Sequence, residues 1–142
     1  MMLVKVKQIM TTDVSTVSPS DTVTKAASIM GQLNVGSVPV TDNNKVVGIV
    51  TDRDIILRGV AKGNDSNQKI SEVMTTNIKC ATPEMDIHTV ADIMAENQVR
   101  RLPVVESDIL VGIVAIGDLA VENILENEAG EALHNISMGV RH

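Results

Sequence analysis

The sequence contains no phenylalanine, tyrosine or tryptophan. Its core must therefore be built from Ile, Val, Leu, Met and Ala, and a base-like ligand must lie between aliphatic side chains instead of stacking on rings. A single cysteine, Cys80, excludes an intramolecular disulfide and a cysteine-clustered zinc site. The three histidines, His88, His134 and His142, are too scattered for local spacing to assemble a metal centre. Basic residues are scarce, 12 Lys and Arg against 18 Asp and Glu, for a formal net charge of -6. That balance argues against a sequence-independent grip on nucleic acid, which draws its affinity from basic patches. No apolar run approaches the roughly 18 residues of a membrane span, and Met1 to Lys5 is too short for a secretory signal. A cytoplasmic protein is expected, with neither membrane nor nucleic acid as partner.

What remains is a globular composition. Hydrophobic residues make up 44% and charged residues 21% of 142 positions, which separates the chain from disordered sequences. A chain of this length can bury about 70% of its unfolded surface. Eight methionines provide polarizable gap-fillers for a core without rings.

The strongest signal is internal repetition. At an offset of 64 and without a gap, Met10-Thr11-Thr12 matches Met74-Thr75-Thr76, Pro19 matches Pro83, and Ile29-Met30 matches Ile93-Met94. Pro39-Val40 matches Pro103-Val104, and Val47 to Val50 matches Val111 to Val114. Fifteen of the fifty positions from 6 to 55 are identical, against about one in fifteen expected from residue usage. Two copies rule out a long solenoid. The chain divides into a first repeat over 1–60, a linker over 61–69, a second repeat over 70–126 and a tail over 127–142.

Each copy has the same element pattern. A short β-like stretch, Val14 to Val17 or Ile78 to Ala81, is closed by Ser18-Pro19 or Thr82-Pro83. Ser20 or Asp21 can cap a helix whose apolar residues, Val23, Ala26, Ala27, Ile29, Met30 and Leu33, fall at helical spacing. Ile87, Val90, Ala91, Ile93 and Met94 repeat the stripe. Ser37 to Val40 and Arg101 to Val104 follow as strands, their prolines suggesting an edge or a strand start. Turn residues then lead into Val46 to Val50 or Leu110 to Val114, making hairpins, and a second helix starts near Asp52 or Ile116. The order is β, α, β, β, α, twice: a mixed α/β (α+β) fold. Residues 59–69 have the polarity of a surface linker, and Glu122 onward begins as a helix continuation that loses its periodicity after Gly130.

Gly48-Ile49-Val50-Thr51-Asp52-Arg53-Asp54 runs an apolar strand into a polar turn carrying a hydroxyl, a guanidinium and two carboxylates. Its counterpart, Gly112-Ile113-Val114-Ala115-Ile116-Gly117-Asp118, keeps the last aspartate and loses the hydroxyl. Asp54 can accept from both vicinal hydroxyls of a ribose, or simply cap the helix that follows, as can Asp118. Thr51, near a helix start, can offer its hydroxyl and free backbone N–H groups to a phosphate. Cys80 fits a small buried filler, and His88 an exposed helix position.

Two βαββα copies, the Met-Thr lead-in, the Val-Pro-Val strand and the Gly-apolar-apolar-Thr-x-x-Asp ending together resemble the tandem CBS (cystathionine-β-synthase) domains of a Bateman module. The likeness covers residues 6 to 126. It implies two repeats packed sheet to sheet about a pseudo-twofold axis, and dimers of such pairs with adenine nucleotides in composite clefts. It also implies a free-standing sensor similar to the regulatory insert of IMP dehydrogenase, without its catalytic barrel. Carried over by position, the resemblance joins Ile49, Thr51 and Asp54 with Ile78, Lys79, Cys80 and Ala81 and with Val99, Arg100 and Arg101. The arginines and Lys79 would face phosphates, or the pair forms a solvated turn between helix and strand; since neighbours on a strand point to opposite faces, at most one arginine reaches a phosphate while the other meets solvent or a dimer partner. A weaker second set joins Ile113, Ala115 and Asp118 with Val14, Ser15, Thr16 and Val17 and with Val35, Gly36 and Ser37, lacking the threonine and the arginine pair. The expected function is non-catalytic sensing of AMP, ADP or ATP by a homodimer, with no catalytic residue, metal or required cofactor and with an unidentified protein target. The alternative is a homodimeric protein-interaction module without a nucleotide.

Overall fold

Two hairpins anchor the structure, and both turn on residues that tolerate positive φ. Asn43 and Asn44 have φ of 52° and 67°, Ser107 and Asp108 of 51° and 69°. Two successive residues with positive φ make the two-residue turn whose twist matches that of paired strands. In this computed structural model, which describes residues 4–121, β1 (Ser37–Asp42) pairs with β2 (Lys45–Thr51). Likewise β3 (Arg101–Glu106) pairs with β4 (Ile109–Ala115). Helices α1 (Val23–Leu33) and α2 (Asp52–Arg58) flank the first hairpin in sequence, and α3 (Ile87–Asn97) and α4 (Ile116–Val121) the second. Four strands and four α-helices among the described residues match the expected mixed fold. The expected helix continuation from Glu122 and the tail to His142 lie outside the described residues.

Three expectations need correction. The stretches Val14 to Val17 and Ile78 to Ala81 are not strands; each contributes one residue to a parallel bridge, Val17 with Val40 and Ala81 with Val104. Proline explains the shortness. Val17 N–H donates to Pro39 O and its carbonyl accepts from Thr41 N–H, at 3.1 and 2.9 Å. Ala81 makes the same two bonds with Pro103 and Val105. Pro39 and Pro103 have no N–H to extend either ladder, so they occupy hairpin edges as their chemistry requires.

The cap of α1 is neither Ser20 nor Asp21. Thr22 accepts from Lys25 N–H at 3.3 Å, while Asp21 accepts from Ser18 N–H at 2.8 Å and closes the preceding turn. That backbone bond, together with the Lys25 ammonium, holds the Asp21 carboxyl below its ordinary range. His88 is half-buried rather than exposed. Its backbone N–H meets the Asp86 cap of α3 at 2.7 Å.

The described residues divide into two compact units, one of residues Ser15–Ile78 and one joining residues 4–14 with residues 79–121. Each hairpin is therefore completed by the lead-in segment of the other repeat. In the first unit Ile70 and Val73 are fully buried with Val17, Val38, Val40 and Val50. In the second, Val6 is fully buried with Ile87, Val90, Met94 and Leu102. A fully buried side chain of this size contributes about 1.5–3 kcal/mol. Backbone bonds follow the same exchange: Ile70 and Ser71 donate to Asp21 O and Pro19 O, Val6 and Lys7 to Met85 O and Pro83 O.

The lead-ins reach the hairpins at glycines. Thr75 exchanges two backbone bonds with Ile49, at 2.8 and 2.9 Å, and Thr11 exchanges two with Ile113, both at 2.9 Å. A Cβ on Gly48 would lie 2.7 Å from Thr75 O, and one on Gly112 would lie 2.8 Å from Met10 Sδ and 2.9 Å from Thr11 O. Gly48→Ala and Gly112→Ala are each expected to destabilise by about 1–3 kcal/mol in urea titrations followed by circular dichroism. Gly31→Ala, inside α1 with nothing within 4 Å of the new methyl, should instead stabilise by up to about 1 kcal/mol. Equal effects at all three positions would contradict the close approach.

The N-terminal lead-in carries an additional clamp. Lys5 Nζ and Lys7 Nζ donate to the two carboxylate oxygens of Glu84, at 2.7 and 2.8 Å. These bonds, first from Lys5 and then from Lys7, lower the Glu84 carboxyl from 4.5 to about 2. A depressed folded-state value adds stability that is present above the unfolded value and lost as pH falls from about 4.5 toward 2. All three side chains face solvent, so the contribution is small and screened by salt. Glu84→Gln should flatten that limb of the stability–pH curve at low ionic strength only; an unchanged curve would remove the clamp's role.

Candidate ligand-binding site

The corner where β2 meets α2 is built by a reciprocal pair of hydrogen bonds. Thr51, β-branched and suited to the strand end, accepts on its hydroxyl from Asp54 N–H at 3.0 Å. Asp54 Oδ2 accepts from Thr51 N–H at 3.1 Å. Acidic residues Asp52 and Asp54 in the first turn complement the helix dipole. Both alternatives for Asp54 thus begin from the same fact: it is a cap. One capping bond occupies one of about four carboxylate lone-pair sites, so a second role is open to it.

The Asp54 side chain is only 12% exposed and has further neighbours. Thr75 Oγ1 lies 3.4 Å from both carboxylate oxygens, and Arg58 Nε lies 4.0 Å from Oδ1. Arg58 Nη1 donates to Val73 O and Met74 O, at 3.3 and 3.1 Å. Thr75 and Arg58 escaped the sequence reading, although Arg58 stands one helical turn beyond Asp54 and Thr75 belongs to the repeated Met-Thr-Thr run.

The expected free backbone N–H groups at the start of α2 are a correction. Asp52 N–H donates to Gly36 O at 3.0 Å, Arg53 N–H to Asp52 Oδ1 at 2.7 Å, and Asp54 N–H to Thr51. All three are occupied. What this corner can still offer is the hydroxyl proton of Thr51 and the remaining acceptor sites of Asp54.

The counterpart corner keeps half of the device. Ala115 N–H donates to Asp118 Oδ2 at 2.8 Å, and Ala115 has no hydroxyl to return the bond. The sheet register places Ser37 opposite Thr51 and Arg101 opposite Ala115. Arg100 accepts on its carbonyl from Ile116 N–H at 2.8 Å, the position held by Gly36 in the first copy. Within each compact unit, then, Gly36 and Ser37 stand beside Thr51, and Arg100 and Arg101 beside Ala115. Grouping Thr51 and Asp54 with the arginine pair rests on the family resemblance.

The other expected residues fall into distinct classes. Arg100 and Lys79 are exposed, and Arg101, Ile49, Ile78, Val99, Ile113, Thr16, Val35 and Ser37 are half-buried. Val17 and Ala81 are core residues, and the backbone groups of both are used in the bridges. Cys80 is half-buried rather than fully buried. Burial, with the Asp108 carboxylate nearby, raises its thiol above the ordinary range, so it is protonated and a poor nucleophile at neutral pH. Among the described residues no three His, Cys, Asp or Glu side chains gather to hold a metal ion, and no helix is long and apolar enough to cross a membrane.

Comparison with known proteins agrees with the repeat and the fold. The chain belongs to the CBS domain family, which it matches twice, over residues 6–60 and 70–122. It is 49% identical over 132 residues to the CBS domain-containing protein YhcV of Bacillus subtilis (strain 168), covering 93% of this chain and 94% of that one. It is 36% identical over 117 residues to the inosine-5'-monophosphate dehydrogenase of Methanocaldococcus jannaschii, covering 81% of this chain and 23% of the enzyme. The likeness to that enzyme is therefore confined to its CBS part. The crystal structure of the CBS domain pair of protein MJ0100, in complex with 5'-methylthioadenosine and S-adenosyl-L-methionine, superposes with a TM-score of 0.75 at 27% identity. That match covers 89% of this chain and 99% of the other.

The two corners predict opposite responses to substitution. Thr51→Ala should cost about 1 kcal/mol by removing the cap. Ala115→Thr should add roughly 0.5–1 kcal/mol by completing the box around Asp118. Urea midpoints measure both, and a destabilised Ala115→Thr would show that the second corner is not a vacant copy of the first.

Proposed function

We propose that this CBS pair is a non-catalytic regulatory module that binds an adenine nucleotide through the Thr51–Asp54 corner. The observation that carries the reading is the corner's asymmetry: a hydroxyl and a nearly buried carboxylate held in one fixed geometry in the first copy, against a carboxylate alone in the second. Asp54 accepts from the ribose hydroxyls and Thr51 donates to a phosphate oxygen. One of the pair Arg100 and Arg101, with Lys79, supplies the remaining phosphate contacts, and Ile49, Ile78 and Val99, with the half-buried Cys80, surround the base, while Ala81 stays in the core. An adenosine-bearing ligand is supported by the MJ0100 complex. These cationic side chains favour AMP, ADP or ATP over a sulfonium ligand. Each charge-assisted bond is worth about 1.5–3 kcal/mol, so loss of one weakens binding tenfold or more. The corner at Asp118, with Thr16, Val35, Ser37 and Ile113, is the weaker site, and Val17 stays in the core.

The protein acts as a cytoplasmic homodimer that passes nucleotide occupancy to a protein target. A second reading, a protein-interaction module without nucleotide, is favoured by one observation. Ile56 and Leu57 of α2 and the nearby Val60, with Leu33 of α1, are 45–67% exposed, aliphatic surface that a protein partner could cover.

Isothermal calorimetry separates the two, because a chain without aromatic residues offers no intrinsic fluorescence. AMP, ADP, ATP and S-adenosylmethionine would be titrated into wild type, Asp54→Asn and Asp118→Asn. Asparagine keeps an oxygen for the cap and removes the charge. The expected result is one nucleotide per chain, at least tenfold weaker in Asp54→Asn and unchanged in Asp118→Asn. Absence of heat with every ligand would support the interaction reading.

A further inference from the structure

Asp54 is tied to more than its own helix. Its carboxylate faces the hydroxyl of Thr75, 3.4 Å from each oxygen, and the guanidinium of Arg58, 4.0 Å from Oδ1. Through Nη1 the same guanidinium holds the carbonyls of Val73 and Met74. Thr75 in turn is fixed to Ile49 by two backbone bonds, over a glycine that permits no side chain. The Thr75 hydroxyl and the Arg58 guanidinium therefore both connect Asp54 to the segment Val73–Thr75. Three residues later the chain leaves the unit at Ile78.

We propose that Thr75 is an internal competitor for Asp54 and Arg58 its positioning partner, so that a ligand's vicinal hydroxyls displace the Thr75 hydroxyl and occupancy is registered in the Val73–Thr75 segment. This rests on the nucleotide reading and deepens it by naming how the site is regulated. A carboxylate with one lone pair already given to Thr51 N–H cannot serve a bifurcated Thr75 hydroxyl and a two-hydroxyl ligand equally well. The long 3.4 Å contacts make Thr75 the weaker partner and the one that yields. The full device belongs to the first copy. At the offset of 64 the Thr75 hydroxyl recurs as Thr11, but Arg58 corresponds to Glu122 and Thr51 to Ala115, so the positioning cation and the capping hydroxyl do not recur in the sequence.

The test has two arms. The first needs no ligand: amide hydrogen exchange at Thr75 and Ile49 is expected to rise roughly tenfold in Asp54→Asn and in Arg58→Met, with Thr11 and Ile113 unchanged as the internal reference. Unmoved exchange at Thr75 would overturn the linkage whether or not a nucleotide binds. The second arm compares ATP with 2'-deoxy-ATP by calorimetry. Thr75→Val, which removes the competitor, should bind ATP about three- to tenfold tighter, with a smaller gain for the deoxy ligand. Thr75→Ser should restore wild-type values. Equal affinity in wild type and Thr75→Val, or equal gains for both ligands, would overturn the competition. If wild type binds neither nucleotide, the functional reading fails and the competition with it, while the exchange arm still decides whether Asp54 and Arg58 hold the segment.

Discussion

The structure depends on the close approach of a lead-in segment to a glycine in the second strand of each hairpin. Thr75 against Ile49 and Thr11 against Ile113 each exchange a pair of backbone bonds at a place where any side chain on Gly48 or Gly112 would collide. Because the lead-in that meets each hairpin comes from the other repeat, neither repeat holds all of the residues of its own core. Ile70 and Val73 fill one cluster, Val6 the other. The sequence repeat and the compact unit are thus two different divisions of one chain.

Much of this organisation can be read from the amino acids. The two α1-type stripes fall at helical spacing, and α1 and α3 bury Val23, Ala26 and Met30, or Ile87, Val90, Ala91 and Met94. Hairpins were legible from turn residues at Asn43-Asn44 and Ser107-Asp108, and the duplication checked each assignment twice. The exchange of lead-ins was not legible. Apolar residues such as Val6 and Ile70 announce burial, but nothing in their spacing says against which copy. The stretches at Val17 and Ala81 have β propensity but form only single bridges, because Pro39 and Pro103 have no N–H to continue the ladder.

The candidate site divides along the same line. Thr51, Asp54 and Asp118 stood out from residue type and position, and the reciprocal cap at Thr51–Asp54 shows why the motif ends with that spacing. The occupied N–H groups of Asp52, Arg53 and Asp54 could not be foreseen, since Gly36 O and the Asp52 side chain reach them only in the folded chain. The same is true of Thr75, which reaches the carboxylate from twenty-one residues away. The first three N–H groups of α2 are occupied, which leaves only side chains at this corner to meet a ligand.

In the proposed function the first corner offers a ligand one carboxylate and one hydroxyl, and the second corner lacks the hydroxyl. The most direct test is the amide chemical-shift response of the whole chain to saturating ATP. The account predicts shifts at Thr51, Asp54, Thr75 and Arg101, with Ser15 and Thr16 unmoved at equimolar ligand. Shifts centred on Ser15, Thr16 and Asp118, with the Thr51–Asp54 corner silent, would contradict it.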